Sequence, residues 1–321
     1  MIMDGNKRWA NLHRASLKEG YQKGLNKLRE IISVCLEQEI KYLTVYALSA
    51  ENMKRVSVST IFDIVIKQSK KIIEEFSFDN NVRVAIIGER RKIPQIINKE
   101  FLKIEKLTRN NKKLKLNIAF NYGTDVEFLR IVKQIVSSYG NKEKKITHAL
   151  LKKHMYLYGS PDPDLLIRTG GFQRLSNFIL LNLSYTEIFF IKTLWPDLSK
   201  KEFLKIEKIT KNNKKLKLNI AFNYGTDVEF LRIVKQIVSS YGNKEKKITH
   251  SLLKRHMYLY GSPDPDLLIR TGGFQRLSNF ILLNMSYTEI FFTKTLWPDL
   301  SKIELLKIFD KFYKIERKYG L

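Results

Sequence analysis

The sequence contains one cysteine, Cys35, among 321 residues, so no disulfide can form within the chain. A chain without disulfides fits a reducing compartment. No uncharged apolar run reaches the ~18 residues of a transmembrane helix, and no signal peptide is recognisable at the start. These absences predict a cytoplasmic protein whose contact with a membrane, such as that of the endoplasmic reticulum, is at most peripheral.

Acidic residues are also scarce, because 32 Asp and Glu stand against 58 Lys and Arg, a formal net charge of +26. Such an excess attracts polyanions: nucleic acid, an acidic membrane surface or a phosphorylated substrate. A general compositional bias towards lysine gives the same pattern. No aromatic-rich recognition motif accompanies basic stretches such as residues 142–145, so nucleic acid is not expected as a partner.

Apolar runs typical of strands alternate with segments of helical spacing. The predicted strands are residues 42–48, 82–87, 114–120, 165–167 and part of 184–194. Strands that alternate with helices form right-handed crossovers, and therefore a mostly parallel sheet flanked by helices. The predicted fold class is α/β. The apolar helix expected at 58–76 either belongs to the core or walls an apolar cavity.

The chain opens with a carboxylate at Asp4, a turn at Gly5 and Asn6, and a cation at Arg8 followed by Trp9. A turn that leads into a helix exposes backbone N–H groups to a phosphate, and a carboxylate can hold Mg²⁺. This combination predicts a metal-diphosphate site, although such a turn also occurs without any ligand. Three residues precede Asp4, too few for the strand that should aim it, so we expect a clipped start.

A second polar block, Ser49, Asn52 and Arg55, follows the predicted strand at 42–48. Open parallel sheets bind ligands at the carboxyl ends of their strands, so the position favours a binding role. The alternative is that Ser49 or Asn52 caps the next helix.

A third block organises the chain. Residues 162–182 place Arg168, Arg174 and Ser176 in one bend after a buried strand, which predicts an anion pocket. Glu187 follows in another apolar strand, where an acid is costly unless it is paired. It is therefore a candidate ligand for a metal or a partner for an arginine.

Residues 101–202 and 203–304 are two copies of one sequence that differ at seven of 102 positions. The second copies of the pocket residues are Arg270, Arg276, Ser278 and Glu289. The unit has no copy of Asp4 or of the Ser49 block, so two C-terminal halves compete for one N-terminal half. We expect the first copy to complete the sheet because it is adjacent in sequence, and we predict domains at 1–202 and 203–321. The displaced copy should then expose a strand edge and apolar faces.

These motifs together resemble the cis-prenyltransferases, the family of undecaprenyl and dehydrodolichyl diphosphate synthases. The resemblance runs through M-D-G-N-x-R-W-A (3–10), Y-A-L-S-A-E-N-M-K-R (46–55), I-A-F-N-Y-G (118–123), D-L-L-I-R-T-G-G-x-x-R-L-S-N-F (164–178) and T-E-I-F-F-x-K-T-L-W-P (186–196). It implies a six-stranded parallel sheet, and an enzyme that adds isopentenyl diphosphate to an allylic diphosphate to make Z-polyprenyl diphosphate for dolichol-type carriers.

The resemblance also implies residue roles. Asp4 would hold Mg²⁺, Arg8 and the N–H groups after Gly5 would hold the allylic diphosphate, and Asn52, with Ser49 nearby, would assist proton removal. Arg168, Arg174 and Ser176 would clamp isopentenyl diphosphate. Glu187 and its copy Glu289 match a family position linked to the metal near a subunit interface. The resemblance further implies a homodimer, or a heteromer with a related subunit.

Several positions depart from the family pattern. Tyr21 replaces a histidine, Leu17 an arginine, and Phe172, with its copy Phe274, a glutamate. The terminal arginine motif is present only as Lys318-Tyr319-Gly320. Each departure weakens diphosphate binding in principle, so the alternative is a weakly active or non-catalytic subunit that supports an active partner.

Overall fold

The structure is a computed structural model. It describes residues 1–54, 59–64, 66, 81–140, 142, 145–211, 225–241, 247–260 and 264–315. Three features of the sequence predictions lie outside these ranges: Arg55, most of the helix expected at 58–76, and Lys318-Tyr319-Gly320.

The described elements alternate between strands and helices as predicted. The strands are β1 (Tyr42–Ser49), β2 (Val82–Ile87), β3 (Leu114–Tyr122), β4 (Leu165–Arg168), β5 (Glu187–Phe190), β6 (Leu267–Arg270) and β7 (Glu289–Phe292). The helices are α1 (Asn6–Leu12), α2 (Leu17–Glu37), α3 (Gln95–Thr108), α4 (Thr124–Tyr139), α5 (His148–His154), α6 (Lys200–Lys211), α7 (Thr226–Tyr241), α8 (His250–Arg255) and α9 (Lys302–Tyr313). The strand expected within 184–194 is shorter than that segment.

One parallel sheet carries the N-terminal half and the first copy. Strand β3 lies between β1 and β2, and β4 pairs with β5, all in parallel. Ile2 joins the two groups, because it bridges Tyr46 of β1 and Arg168 of β4. The layer therefore runs β2-β3-β1-Ile2-β4-β5. This confirms the predicted fold class, and the strands that Ile2 joins to β1 are those of the first copy.

Helix α2 shows how the sheet is covered. Ser16 caps its first turn by accepting from the Glu19 N–H, while the Glu19 carboxylate accepts from the Ser16 N–H. Its buried face includes Ile31 and Cys35 and packs into the core beside β1. Cys35 is fully buried in this core, and burial raises the pKa of its thiol to about 12.

The second copy forms a unit of its own in which β6 pairs only with β7 among the described strands. Helix α6 crosses the predicted boundary between residues 202 and 203, and it places Phe203 and Ile206 in the same core as Trp195. The boundary itself stays a prediction. No helix in the part of the chain that the structure describes is long and apolar enough to cross a membrane.

Candidate active site

The site lies at the rim where Ile2 and β4 end. The Arg168 guanidinium donates to Asp4 Oδ2 from Nη2 at 2.6 Å and from Nε at 3.1 Å. Thr169 Oγ1 donates to the Asp4 carbonyl at 2.8 Å, which fixes the backbone of the acid as well. Arg168 is 3% exposed and Asp4 35% exposed. The cation is thus buried and oriented, while the carboxylate still reaches solvent.

The bend after β4 adds the remaining predicted pocket residues. Arg168 Nη1 donates to Ser176 Oγ at 2.9 Å and also to the Arg174 carbonyl. Ser176, Asn177 and Ile179 have φ values of 48°, 61° and 44°. Non-glycine residues rarely adopt this left-handed conformation, and strain of this kind concentrates at functional sites. Arg168 therefore links the N-terminal acid to a strained turn.

Phe172 stands at the centre of three guanidinium groups. Its ring centroid lies 4.7 Å from Cζ of Arg8, 4.9 Å from that of Arg174 and 5.6 Å from that of Arg168. The negative face of an aromatic ring attracts cations without neutralising them. Sequence reasoning considered Phe172 only as a departure from the family pattern. The structure shows that it gathers three cations around one point.

Arg8 and Gly5 are closely packed where they approach this point. Gly5 has a φ of 124°, and an added Cβ would lie 2.9 Å from Leu194 Cβ. Gly170 has a φ of 83°, and its added Cβ would lie 2.4 Å from Arg8 Nη2. Both positions therefore require glycine. Trp9 anchors the start of the chain from the side, since its Nε1 donates to Asp197 Oδ1 at 2.7 Å.

The block after β1 is tied to the same turn through Glu51, which sequence reasoning did not select. Asn177 Nδ2 donates to Glu51 Oε1 at 3.2 Å, and the Asn52 N–H donates to Ser49 Oγ at 3.1 Å. The Tyr46 hydroxyl donates to the Tyr122 and Ser176 carbonyls. Ser49 and Asn52 thus contact each other beside the site. Ser49 accepts a hydrogen bond as a helix cap does, and it also lies at the end of β1, at the rim of the sheet.

Arg174 is held by a residue from the second copy. Its Nη1 lies 3.5 Å from Glu289 Oε1, and both side chains are buried. Burial, and then the nearby Arg168 charge, lower the pKa of Arg174, whereas Glu289 and Asp4 raise it. Two close, desolvated guanidinium groups repel each other, so an anion of high charge would stabilise the pair.

The predicted metal ligands Glu187 and Glu289 both contact arginines. Glu187 lies 3.7 Å from Arg276 Nη1, so the arginine-partner alternative is the one that the geometry displays for Glu187 and, through Arg174, for Glu289. No three His, Cys, Asp or Glu side chains of the described residues converge on one point. Asp4 is the carboxylate of the N-terminal half that contacts Arg168.

The second copy repeats the bend without the acid. Arg270 Nη1 donates to Ser278 Oγ at 2.9 Å and to the Arg276 carbonyl, and Phe274 lies 4.8 Å from the Arg276 guanidinium. The chain has no second Asp4. The binding role predicted for Arg270, Arg276 and Ser278 stays a prediction. These residues form only the part of the site that the C-terminal copy supplies.

A separate cavity of about 650 Å³ lies where β1 and β4 begin, lined among others by Tyr42, Thr44, Leu165 and Ile167. Parallel strands begin at the sheet edge opposite to the one where they end. This cavity is therefore distinct from the rim that carries Asp4 and Arg168.

The chain is similar to known proteins. The family model for undecaprenyl diphosphate synthase matches residues 2–206 and again residues 203–320. An isoprenyl transferase of Fusobacterium nucleatum is 38% identical over 204 residues, which cover 63% of this chain and 86% of that protein. One from Aquifex pyrophilus is 40% identical over 209 residues, covering 64% of this chain and 88% of that protein.

A similar solved structure is the lavandulyl diphosphate synthase of Lavandula x intermedia in complex with dimethylallyl diphosphate. It is 27% identical to this chain, with a TM-score of 0.64, and the match covers 67% of this chain and 94% of that one. The N-terminal half and one C-terminal copy thus correspond to nearly the whole of such a protein.

Proposed function

Since the chain belongs to the undecaprenyl diphosphate synthase family and is a prenyltransferase, we propose that it condenses isopentenyl diphosphate with an allylic diphosphate such as farnesyl diphosphate. The reaction joins the two carbon chains, forms a Z double bond and releases pyrophosphate and a proton. The observation that carries the proposal is the convergence of Asp4 and Arg8 with Arg168 and Arg174 around Phe172. One end of the chain and the later half meet at a single basic rim.

Each group has a defined task in this proposal. Arg8 and the backbone after Gly5 hold the allylic diphosphate, whose departure leaves charge that positive groups stabilise. Arg168, Arg174 and Ser176 hold isopentenyl diphosphate, because guanidinium forks match phosphate oxygens. Asn52, supported by Ser49, orients the double bond and assists the removal of the proton. Arg55 carries the same expectation as a diphosphate contact from outside the described residues.

The donor set at the rim fits Mg²⁺. This ion binds through one or two carboxylates together with substrate phosphates and water. Both Arg168 bonds to Asp4 use Oδ2, so Oδ1 would be the oxygen that binds the ion. Bound Mg²⁺ would supply positive charge to the leaving diphosphate. Glu187 and Glu289 stay candidate ligands whose arginine contacts would have to rearrange.

The product is proposed to be a Z-polyprenyl diphosphate, and its use for dolichol-type carriers stays a prediction. The apolar surface that receives the growing chain is expected from the helix at 58–76. Peripheral membrane contact follows from the length of such a product, since a long prenyl chain partitions into lipid.

The decisive experiment measures incorporation of labelled isopentenyl diphosphate with farnesyl diphosphate and Mg²⁺. We expect elongation by the full chain, loss of elongation in Asp4→Ala, and activity at least equal to that of the full chain in a version lacking residues 101–202. If neither length of chain elongates alone but a co-expressed relative does so better in its presence, the protein is a supporting subunit.

A further inference from the structure

The two copies pack against each other through an interface in which contacts occur twice, with the roles of the copies exchanged. Arg174 contacts Glu289 at 3.5 Å, and its copy Arg276 contacts Glu187 at 3.7 Å. The same exchange holds for His148 with the Asp227 carbonyl at 3.1 Å and for His250 with the Asp125 carbonyl at 3.2 Å. Equivalent residues of the two copies differ by 102 in number. When a first-copy residue contacts a second-copy residue, their equivalents in the opposite copies make the same contact.

Backbone hydrogen bonds follow the same exchange. The Ile188 N–H donates to the Gln275 carbonyl at 2.5 Å, and the Ile290 N–H donates to the Gln173 carbonyl at 2.7 Å. Two aromatic residues meet their own copies: Phe128 and Phe230 have ring centroids 4.6 Å apart, and Phe190 and Phe292 are stacked at 6.4 Å. Self-contacts of this kind lie on the axis of a two-fold symmetric interface.

The interface is also a continuous core. Helices α4 and α7 pack along each other, and their fully buried residues form one apolar cluster, which includes Ile131, Ile135, Ile233 and Ile237. Burial of this extent on both sides is typical of a permanent interface between subunits.

The second copy reaches beyond the first copy into the complete site. The Tyr287 hydroxyl donates to Glu51, and burial raises the pKa of Tyr287. Glu51 also accepts from Asn177 in the strained turn. Glu51 lies outside the repeated unit, so the chain has no second copy of the Tyr287–Glu51 pair. Tyr287 and Glu289 therefore contact residues of the complete site, whereas Glu187 contacts Arg276 of the second copy.

We propose that the second copy is a built-in partner subunit: it occupies the face through which two single-copy chains would form a two-fold dimer, and it lends Tyr287 and Glu289 to the one complete site as positioning residues. Its covalent attachment supplies the partner at a high effective concentration. The full chain is then a monomer with one active site. The role in the site rests on the proposed function, whereas the role in assembly does not.

The assembly is tested by light scattering coupled to gel filtration. The full chain is expected at its sequence mass of 37.8 kDa, and the version lacking residues 101–202 at twice its own sequence mass. In that version Glu100 is followed by Phe203. The segment that starts at Phe203 begins with the same residues as the deleted segment that starts at Phe101. Phe230→Glu in the short version should yield a monomer. A dimeric full chain, or a folded short version that stays monomeric, would overturn the proposal.

The positioning role is tested in the full chain with a matched pair. Tyr287→Phe should raise KM for isopentenyl diphosphate about tenfold, as the loss of a hydrogen bond to a charged group predicts, with a smaller change in kcat. Tyr185→Phe removes the same hydroxyl from the first copy and should leave both constants unchanged. Equal effects of the two substitutions would refute the asymmetric role. If the full chain shows no turnover, the mass measurements still decide the assembly.

Discussion

Trp195 and Trp297 occupy the same position in the two copies, yet Trp195 is 1% exposed and Trp297 is 75% exposed. The difference comes from the N-terminal half, because Trp195 Nε1 donates to the Gly24 carbonyl of α2 at 2.8 Å. The chain contains a single copy of α2. The apolar face expected on the displaced copy is therefore present at Trp297 and Leu296.

This pair provides the first prediction. Trp195→Ala should lower the free energy of unfolding by about 3–5 kcal/mol, the usual cost of emptying an aromatic core position. Trp297→Ala should change it by less than about 0.5 kcal/mol, as for an exposed site. Urea unfolding followed by far-ultraviolet circular dichroism measures both. Similar losses in the two variants would show that something covers Trp297 in solution.

The second prediction concerns the contact between Asp4 and Arg168. Arg168→Lys keeps the charge but loses the fork that bonds Asp4 and Ser176 together, so kcat/KM should fall about 100-fold, equivalent to about 2.7 kcal/mol. Arg255→Lys is the matched control, because the first copy already has Lys153 there. Steady-state kinetics with both diphosphates provide the readout, and full activity of Arg168→Lys would contradict the assignment.

The third prediction concerns Phe172. Phe172→Leu removes the ring that attracts Arg8, Arg168 and Arg174, and each such contact is worth about 0.5–2 kcal/mol. The KM values for the two diphosphates should therefore rise about fivefold or more. Phe274→Leu makes the same change in the copy without an Asp4 and should leave the kinetics unchanged. A lower KM in Phe172→Leu would show instead that the ring obstructs the pocket.

The fourth prediction follows from Glu127, which is buried and accepts from the Tyr122 hydroxyl at 2.5 Å and from the Tyr156 N–H at 2.6 Å. Burial raises the pKa of Glu127 above its ordinary value. Between its unfolded and its folded pKa the native state binds more protons than the unfolded state, so stability should fall as pH rises through that window. Glu127→Gln should flatten the dependence of Tm on pH above about pH 4.5, and an unchanged slope would contradict it.

Much of the fold was predictable because local patterns decide it. The strand at 82–87 was predicted at its observed bounds, and the strand predicted at 42–48 ends one residue before the observed end of β1. Apolar runs with the period of buried strands leave few alternatives once helices separate them. The strand expected in part of 184–194 lies at residues 187–190, and its length is set by pairing with the four residues of β4.

Part of the site could be predicted from residue type and part could not. Asp4, Arg8, Arg168 and Arg174 are charged residues at strand ends or turns, where chemistry is expected. Phe172 and Tyr287 carry no such signal, because an aromatic side chain is most often core. Their importance depends on which cations and acids surround them.

The sequence by itself determined the α/β class, the family, the charged residues of the rim and the existence of two nearly identical C-terminal halves. Only the tertiary structure decided which half completes the sheet, and that the other half packs against it with a two-fold relation. The physical reason is that two copies of one sequence have the same local preferences. Their fates differ solely through long-range contacts with a single N-terminal half.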